Sequence, residues 1–244
     1  IGGMTRACAK RAAGLYRSFV VGHCVLASKP RVAEMAKLTE NSFRDVNIAF
    51  ANELSLICDR LQIDVWELIR LANRHPRVNI LQPGPGVGGH CIAVDPWFIV
   101  ASAPEQVRLI RTAREVNDHK PEWVLEKTRA AIGNWLMDHP GRTAADVTLA
   151  IYGLAFKPDI DDLRESPALE IARQLATQHS GGLLIVEHHI DILPERLGQA
   201  RLVAMADVVA DIHLLLVDHK PFREMKSPEG LIVDTRGTWS RREV

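Results

Sequence analysis

Hydrophobic and polar positions follow two different patterns along the chain, and the first pattern is helical. Between Arg31 and Leu61 apolar side chains recur every three or four positions, with no internal Pro or Gly: Val32, Met35, Leu38, Phe43, Val46, Phe50, Leu54, Ile57 and Leu61. This spacing places them on one side of a helix, so the segment predicts one long amphipathic helix.

Two more helical segments follow in the same part of the chain. One is predicted over 65–73 and ends before His75-Pro76, because proline discourages helical geometry in the preceding residue. The other covers about 104–137, with an interruption near Lys120-Pro121, where proline can begin a new helix. Residues 31–140 are therefore predicted to form a helical region.

The second pattern begins at Asp146. Short apolar runs rich in branched residues alternate with helical stretches at 167–178 and about 204–210; the runs are VTLAIYG, LLIVEH, IHLLLVD and LIVDTRG. Strands that alternate with helices predict a parallel sheet covered on both faces. The predicted fold class is α/β, with a helical region followed by a Rossmann-like parallel-sheet domain over 141–244.

Composition narrows the classes of partner. Thirty basic residues balance thirty acidic ones, so no overall field favours nucleic acid or an anionic membrane surface. No apolar run approaches the roughly 20 residues that a bilayer-spanning helix needs, and no secretory pattern opens the chain. These features predict a cytoplasmic protein that binds neither nucleic acid nor membrane.

The four cysteines, Cys8, Cys24, Cys58 and Cys91, are widely dispersed and include no C-x-x-C pair, which argues against a zinc site or a disulfide framework. Cys8, Cys24 and Cys58 are predicted to be small buried hydrophobic residues. Cys91 differs because it ends a glycine-rich loop, between polar neighbours.

That loop, NILQPGPGVGGHCIAVDP over 79–96, contains a G-x-G-x-x-G pattern through Gly84, Gly86 and Gly89. A dinucleotide-binding turn needs a buried strand before the glycines and a helix after them. Only a short Ile-Leu pair precedes the loop here, and Asp95-Pro96 is predicted to oppose a helix. The glycines are therefore interpreted as residues that let the backbone bend and another molecule approach closely.

Lys37, Asn41 and Arg44 form a second candidate site on the long helix. Their spacing of i, i+4 and i+7 places all three on one face. Such a donor-rich stripe is either a solvated helix face or a binding surface, and the residues alone leave both interpretations open.

Three segments, AEMAKLTENSFRDVNIAFANEL, PGPGVGGHCIAVDP and GLAFKPDIDDLRESPALEIA, occur in this order and resemble the nucleotide-sugar 6-dehydrogenases of the UDP-glucose dehydrogenase superfamily. The resemblance implies an amino-terminal NAD-binding Rossmann domain, a central helical dimerisation region and a carboxy-terminal UDP-binding domain. Because the opening IGGM resembles the end of the first domain, residues 1–30 are expected to be its remnant and a linker, and most of the NAD-binding domain is expected to be missing.

The resemblance also implies roles for individual residues. Cys91 would be the nucleophile that forms a thiohemiacetal and then a thioester; Lys37 and Asn41 would stabilise charge, and Asp95 would orient water or accept a proton. NAD would be the cofactor, contacted by Arg164. The implied UDP-sugar contacts are Lys37, Asn41, Arg44, His75, Arg77, Gly88, Phe156, Lys157 and Arg236, with His75 and Arg77 able to reach a neighbouring subunit of a homodimer.

Asp159, Asp161 and Asp162 form an acidic group that looks like a metal cluster at first sight. Turn formation and pairing with Arg164 explain the group without a metal, so none is expected. His90 and Val94 replace the serine and lysine typical of the branch that oxidises UDP-glucose, which favours an N-acetylated sugar.

The activity implied for the full-length enzyme is NAD-dependent, four-electron oxidation of UDP-N-acetyl-D-mannosamine to its uronic acid, a precursor for surface polysaccharide, and the segment alone is expected to be inactive. Three alternatives stay open at this point. The substrate would be another UDP-N-acetylhexosamine, the enzyme would be a two-electron hydroxyacid dehydrogenase of the wider superfamily, or the chain would be a dimerising, UDP-sugar-binding module without catalysis.

Overall fold

A computed structural model describes residues 1–239. Seven α-helices have the bounds α1 Arg6–Tyr16, α2 Pro30–Leu61, α3 Val65–Ala72, α4 Asp95–Ser102, α5 Leu109–Asp138, α6 Pro167–Gln178 and α7 Lys220–Glu224 in this range. The strands are β1 Leu149–Tyr152, β2 Leu183–Val186, β3 Arg201–Leu202, β4 Ile212–Leu215 and β5 Leu231–Asp234. None of the helices described is both long and apolar enough to cross a membrane.

The five strands form one parallel sheet in the order β3-β2-β1-β4-β5. One face packs against α5 and α6 through residues such as Ile151, Ile171 and Leu214, which are fully buried. The other face carries Tyr152, Phe222 and Trp239. Because both faces are covered, the central strands are fully buried and apolar except for His213 in β4, and the predicted α/β fold with a parallel sheet is confirmed.

Helix α5 departs from the prediction, because it starts at Leu109 and continues through Pro121 without a break. Its residues Val124 and Leu125 are fully buried in the core of the sheet domain, while Lys120 is buried near α2. Packing on both sides outweighs the local cost of an internal proline. Gly86 faces this proline, where a β-carbon would lie 3.3 Å from Pro121 Cγ.

Two other expectations were wrong, and two short elements were not predicted. Asp95-Pro96 does not oppose a helix but begins α4. Proline is tolerated there because an N–H in the first turn has no partner within the helix, so its absence costs nothing. The stretch 204–210 contains only one 3-10 turn, Met205–Asp207. Strand β3 and helix α7 were not predicted, because two and five residues carry no measurable periodicity.

Helix α2 has an unusual distribution of side chains. Its inward face is made of polar and small residues, namely Asn41, Ser42, Asp45, Ala49, Ala51, Asn52, Ser55 and Cys58. Its apolar side is exposed, at between 42% and 69% of each side chain's possible area; the exposed members are Val32, Met35, Phe43, Phe50, Ile57 and Leu61. Six of the nine periodic apolar residues therefore do not face the core of their own chain, and the other three, Leu38, Val46 and Leu54, are half-buried.

Candidate active site

The glycine loop, residues 79–94, connects α3 to α4 and lies against the sheet domain. A β-carbon on Gly88 would fall 2.3 Å from Glu165 O and 2.6 Å from Pro167 Cδ. Gly89 adopts a φ of +81°, and its N–H donates to Glu165 O over 3.3 Å. The backbone can approach this closely only without side chains. At Gly88 the space is filled by the chain's own sheet domain.

No strand precedes the glycines within the residues described, so the pattern lacks the first half of a dinucleotide-binding turn. After the glycines, a tight turn at Cys91–Val94 comes before α4. Cys91 O accepts hydrogen bonds from Val94 N over 3.2 Å and from Asp95 N over 2.8 Å. The Cys91 thiol is exposed at this turn.

Helix α2 holds both ends of the loop. At the beginning, Gly84 N donates to Asn52 Oδ1 over 2.9 Å. At the end, Asn41 Nδ2 donates to Asp95 Oδ2 over 2.5 Å. Asn52 follows Asn41 by eleven positions, or about three helical turns, so both amides project from the same side of α2. Cys91 is therefore tied to α2 through Asp95.

The predicted donor stripe is divided in the structure. Asn41 is 1% exposed and points inward, whereas the Lys37 side chain is 57% exposed and its Nζ pairs with Glu40 Oε1 over 3.0 Å. Arg44 is exposed and borders a shallow apolar groove beside Met35 and Phe43. Among the three, the hydrogen bonds described tie Asn41 to the loop.

On the sheet side, Phe156 and Lys157 follow the carboxyl end of β1. A β-carbon on Gly89 would lie 3.0 Å from Phe156 Cε2, so the ring contacts the glycine loop directly. Lys157 Nζ lies 5.6 Å from the centre of the same ring and is exposed. Ligands of open parallel sheets gather beyond the carboxyl ends of the strands, which is where these side chains lie.

Arg236, just after β5, reaches the beginning of the loop. Its Nε donates to Asp218 Oδ1 over 2.7 Å, and its backbone N–H donates to Asp234 Oδ1 over 2.8 Å. A β-carbon on Gly84 would lie 2.6 Å from Arg236 Nη1. The glycine loop is thus enclosed by Phe156 at one end and by Arg236 at the other.

In the acidic group after β1, Asp162 pairs with Arg164 as predicted, whereas Asp159 has other partners. Asp162 accepts three hydrogen bonds from Arg164, through N, Nε and Nη2, at 3.0, 2.9 and 2.6 Å. These bonds lower the pKa of Asp162, and nearby His90 lowers it further. Asp159 instead accepts from Lys220 N at 2.7 Å and from Arg223 Nη2 at 3.0 Å.

His75 and Arg77 lie after α3 and are exposed. Arg77 N donates to His75 Nδ1 over 3.3 Å. Among residues 1–239, this hydrogen bond joins His75 and Arg77 to each other and not to the group around Cys91.

Glu187, at the end of β2, is a residue that sequence reasoning missed. It is 6% exposed, and it accepts hydrogen bonds from Leu154 N at 2.7 Å and from His219 Nε2 at 3.1 Å. Burial opposes ionisation, but the bonds from His219 and Leu154 outweigh it and lower the pKa of Glu187 to about 2. Glu187 thereby holds the turn that carries Phe156, and a single buried Glu after a strand gives no periodic signal in the sequence.

The thiols differ in exposure. All four are free, and Cys58 is buried as predicted. The prediction for Cys8 was wrong, because this residue is exposed in the first turn of α1 and its N–H donates to the Thr5 hydroxyl over 3.2 Å. Cys24 is partly exposed.

Two family domains match the chain in sequence. Residues 31–119 match the central domain of the UDP-glucose/GDP-mannose dehydrogenase family, and residues 150–241 match the UDP binding domain of the same family. The match leaves the whole glycine loop inside the first domain and Phe156, Arg164 and Arg236 inside the second.

Individual relatives agree with this assignment. UDP-N-acetyl-D-mannosamine dehydrogenase of Escherichia coli (strain K12) is 59% identical over 98% of this chain and 58% of its own length. NDP-N-acetyl-D-galactosaminuronic acid dehydrogenase of Ralstonia solanacearum is 55% identical over 100% of this chain and 56% of its own length. The chain therefore spans less than three fifths of these relatives.

Solved structures show the same fold. UDP-D-ManNAc dehydrogenase from Pyrococcus horikoshii superposes with a TM-score of 0.82 at 34% identity, covering 100% of this chain and 57% of its own. UDP-N-acetyl-mannosamine dehydrogenase from Staphylococcus aureus gives a TM-score of 0.78 at 38% identity, covering 98% and 54% respectively.

Proposed function

The chain belongs to the UDP-glucose/GDP-mannose dehydrogenase family, and from this membership we propose that its site serves NAD-dependent, four-electron oxidation of UDP-N-acetyl-D-mannosamine to UDP-N-acetyl-D-mannosaminuronate. One observation carries the proposal. The exposed Cys91 thiol lies at the end of a glycine loop that is anchored to α2 and packed against the carboxyl edge of the sheet. The product is proposed as a precursor for surface polysaccharide.

Oxidation of a primary alcohol to an acid removes four electrons, so a group must hold the intermediate aldehyde between two hydride transfers. The Cys91 thiolate adds to the aldehyde carbon and forms a thiohemiacetal. Loss of a hydride and a proton converts this adduct into a thioester. Water then attacks the thioester carbon, the C–S bond breaks, and the carboxylate and the thiolate are released.

The groups around Cys91 have separate roles. Asp95 is held as a hydrogen-bond acceptor by Asn41, and it is placed one turn after the thiol, where it orients water or accepts a proton. Lys37 lies one turn before Asn41 on α2, and its ammonium is proposed to stabilise the thiolate and the oxyanion of the adduct.

NAD is proposed as the acceptor of both hydrides. The glycine pattern at 84–89 does not fit a pyrophosphate, because no strand leads into it. Arg164, whose side chain is 71% exposed at the carboxyl edge of the sheet, is proposed to contact the cofactor. NAD binding therefore rests on family membership and on this one guanidinium among the residues described.

The UDP-sugar is proposed to bind between the two parts of the site. Phe156, Lys157 and Arg236 lie at the carboxyl edge of the sheet, where the two cations suit a diphosphate and the ring offers an apolar surface. Asn41, Lys37, Arg44 and Gly88 are proposed for the sugar side. His75 and Arg77 are proposed to serve a neighbouring subunit's site, because both are exposed and their hydrogen bond joins them to each other.

Replacing Cys91 with Ser tests the chemistry. The wild-type enzyme is expected to produce two NADH for each UDP-N-acetyl-D-mannosamine, and Cys91→Ser is expected to form no acid. Cys8→Ser is the matched control, because Cys8 is also an exposed thiol but lies on α1. Normal acid formation by Cys91→Ser would contradict the thioester route, and one NADH per sugar in the wild type would favour a two-electron dehydrogenase.

Calorimetry separates catalysis from simple binding. If the chain is a binding module, it is expected to bind the UDP-sugar, to show no binding of NAD and to show no detectable turnover.

The choice of sugar is tested by comparing kcat/KM for the manno, gluco and galacto forms of the UDP-N-acetylhexosamine. A preference for the galacto form would contradict the proposed substrate.

We further propose that the chain forms a homodimer through the apolar side of α2. Six large apolar side chains on this helix are exposed, and exposed apolar surface of this extent marks an interaction site.

The proposed location of the protein is the cytoplasm, because its four free thiols suit a reducing compartment.

Sedimentation tests the dimer. Phe50→Glu, on α2, is expected to convert the dimer to a monomer, because it places a charge in the apolar interface. Val209→Glu is the control, because Val209 is 84% exposed on the sheet domain and lies outside α2. A monomeric wild-type protein at micromolar concentration would overturn the dimer.

A further inference from the structure

Helices α2 and α5 meet through a row of buried polar side chains. The row consists of Asp45 and Asn52 on α2 with Arg114 and Asn117 on α5, each 2% exposed or less. Arg114 Nη1 donates to Asp45 Oδ1 over 2.6 Å, and its Nη2 pairs with Asp118. A well-packed apolar interface of the same volume is often as stable as buried charges or more so, so stability alone does not account for this row.

The hydrogen bonds of the row have one possible direction. Asp45 offers only acceptors to Asn117, whose Nδ2 donates to Asp45 Oδ1 over 2.9 Å and to Asp45 O over 3.1 Å. The Asn117 amide must therefore turn its oxygen toward Asn52. Asn52 Nδ2 donates to that oxygen over 2.9 Å, which leaves Asn52 Oδ1 facing the loop.

At the end of the row, Asn52 Oδ1 accepts the backbone N–H of Gly84 over 2.9 Å. Gly84 lies between two prolines, Pro83 and Pro85, which have no N–H of their own. Its N–H is therefore the backbone donor at this bend, and Gly84 is buried where a side chain would meet Arg236. The row fixes the beginning of the segment that leads to Cys91.

From this continuous and directional set of bonds we infer that Asn117, on α5, is a positioning residue for the glycine loop. It touches neither the loop nor Cys91 through the hydrogen bonds described. It acts by orienting Asn52, which then holds Gly84 and so sets the start of the path from Gly84 to Cys91. The inference rests on the proposed function of Cys91 as the nucleophile.

Hydrogen exchange and turnover of Asn117→Ala test this role. We expect exchange in the peptide containing Gly84 to become faster by about tenfold or more, because Asn52 loses the partner that orients it. We expect kcat to fall by about tenfold or more while KM for the UDP-sugar changes less than about threefold, because a displacement of about 1 Å at a reacting group is costly.

Thr128→Ala is the matched control. Thr128 is also on α5 and fully buried, but its hydroxyl donates to Val124 O over 2.9 Å within its own helix. It is expected to leave loop exchange, kcat and KM unchanged.

A second measurement is the rate at which iodoacetamide labels Cys91, with the exposed Cys8 as internal reference. This rate is expected to change at least about threefold in Asn117→Ala and not in Thr128→Ala.

The outcomes separate this inference from the proposed function. Unchanged loop exchange in Asn117→Ala would overturn the inference, and so would faster exchange with unchanged kcat and Cys91 labelling, since Asn117 would then be only structural. Full activity of Cys91→Ser would overturn the proposed function while leaving the exchange result intact. If Asn117→Ala does not fold, Asn117→Ser is used, because it keeps a hydroxyl near Asp45 and withdraws the acceptor from Asn52.

Discussion

Helix α2 and the strands of the sheet domain differ in how their large apolar side chains are placed. In the sheet domain, apolar residues such as Ile151 and Leu214 are fully buried, and the apolar pattern coincides with the core. In α2, apolar residues such as Phe43 and Phe50 are exposed, whereas Asp45 and Asn52 are fully buried. An apolar pattern therefore identifies the apolar side of an element, but the surface that covers this side can belong to another molecule.

The difference matches the tasks of the two regions. A sheet that is buried on both faces gives a firm platform for groups such as Phe156 and Arg236 at its edge. The inward face of α2 instead presents directional groups, because anchoring a loop at two chosen points requires hydrogen bonds rather than apolar contact.

Asp45→Ala is expected to have the largest effect on stability, and it tests the buried polar side of α2. We expect it to lower the free energy of unfolding by about 4 kcal/mol, because it removes the buried partner of Arg114 and leaves this buried cation with only the half-exposed Asp118. Burial raises the pKa of Asp45 against the effect of Arg114, but the bonds described require an acceptor at this position. Urea denaturation measures the change.

Asp118→Ala is the comparison variant for Asp45→Ala. Asp118 also pairs with Arg114, but its side chain is 53% exposed, so its loss is expected to cost less than about 1 kcal/mol. Equal losses in the two variants would mean that the row contributes through simple charge pairing rather than through buried contacts.

Ile151→Ala provides the matching test in the sheet. Ile151 is fully buried in the core formed with α5 and α6, so its truncation is expected to cost about 3 kcal/mol through lost burial and a cavity. Ile192→Ala, at a side chain 83% exposed, is expected to change stability by less than about 0.5 kcal/mol. A small effect of Ile151→Ala would show that the sheet core tolerates loosening.

Lys120→Met sharpens the comparison, because Lys120 is a buried cation in the helical region. Its Nζ donates to Ser55 Oγ over 2.6 Å and lies 3.4 Å from the centre of the Trp123 ring. Burial lowers the pKa of Lys120 to about 7. Replacement by Met is expected to stabilise the protein by about 2 kcal/mol at pH 7, since the cost of burying a charge disappears.

The lowered pKa of Lys120 predicts how the stability of the wild-type protein depends on pH. Between about pH 7 and 10.5 the unfolded chain binds a proton at Lys120 that the folded chain does not, so wild-type stability rises with pH. The advantage of Lys120→Met over wild type should therefore shrink toward pH 10.

Glu187 gives the smallest expected effect, at acid pH. Its folded pKa of about 2 lies below its ordinary value of 4.5, so its contribution is complete above pH 4.5 and is lost as pH falls toward 2. The loss is expected to be at most about 1.4 kcal/mol per pH unit. Urea midpoints at pH 4 and pH 3 should differ less in Glu187→Gln than in wild type, and an equal difference would contradict this account.

Much of the sheet domain was predictable from its residues. The four long strands and the bounds of α6 followed from apolar runs and from Ser166-Pro167 at the start of that helix. Helix α5 was harder, because the continuity of the chain through Pro121 depends on contacts with distant segments. Asp95-Pro96 shows the same limit at short range, since the dipeptide alone does not distinguish a helix start from a stop.

The candidate site divides in the same way. Cys91 and Asp95 were recognisable from the glycine loop and from family resemblance, and the Asp162–Arg164 pair from its spacing. The contacts made by Glu187 and by Asp218, and the contact between Asp45 and Asn117, were not recognisable, because each of them joins residues that are far apart in the chain. Their roles depend on burial and direction, which local composition does not contain.

The order of residues was enough to establish the longer helices, the parallel sheet and the chemically distinct cysteine, because periodicity, turn residues and motifs are local properties. Folding in three dimensions settled which side of α2 faces inward and which amide holds Gly84. Those outcomes depend on which distant surfaces compete to cover a side chain and on the single direction in which a buried amide can satisfy all its partners.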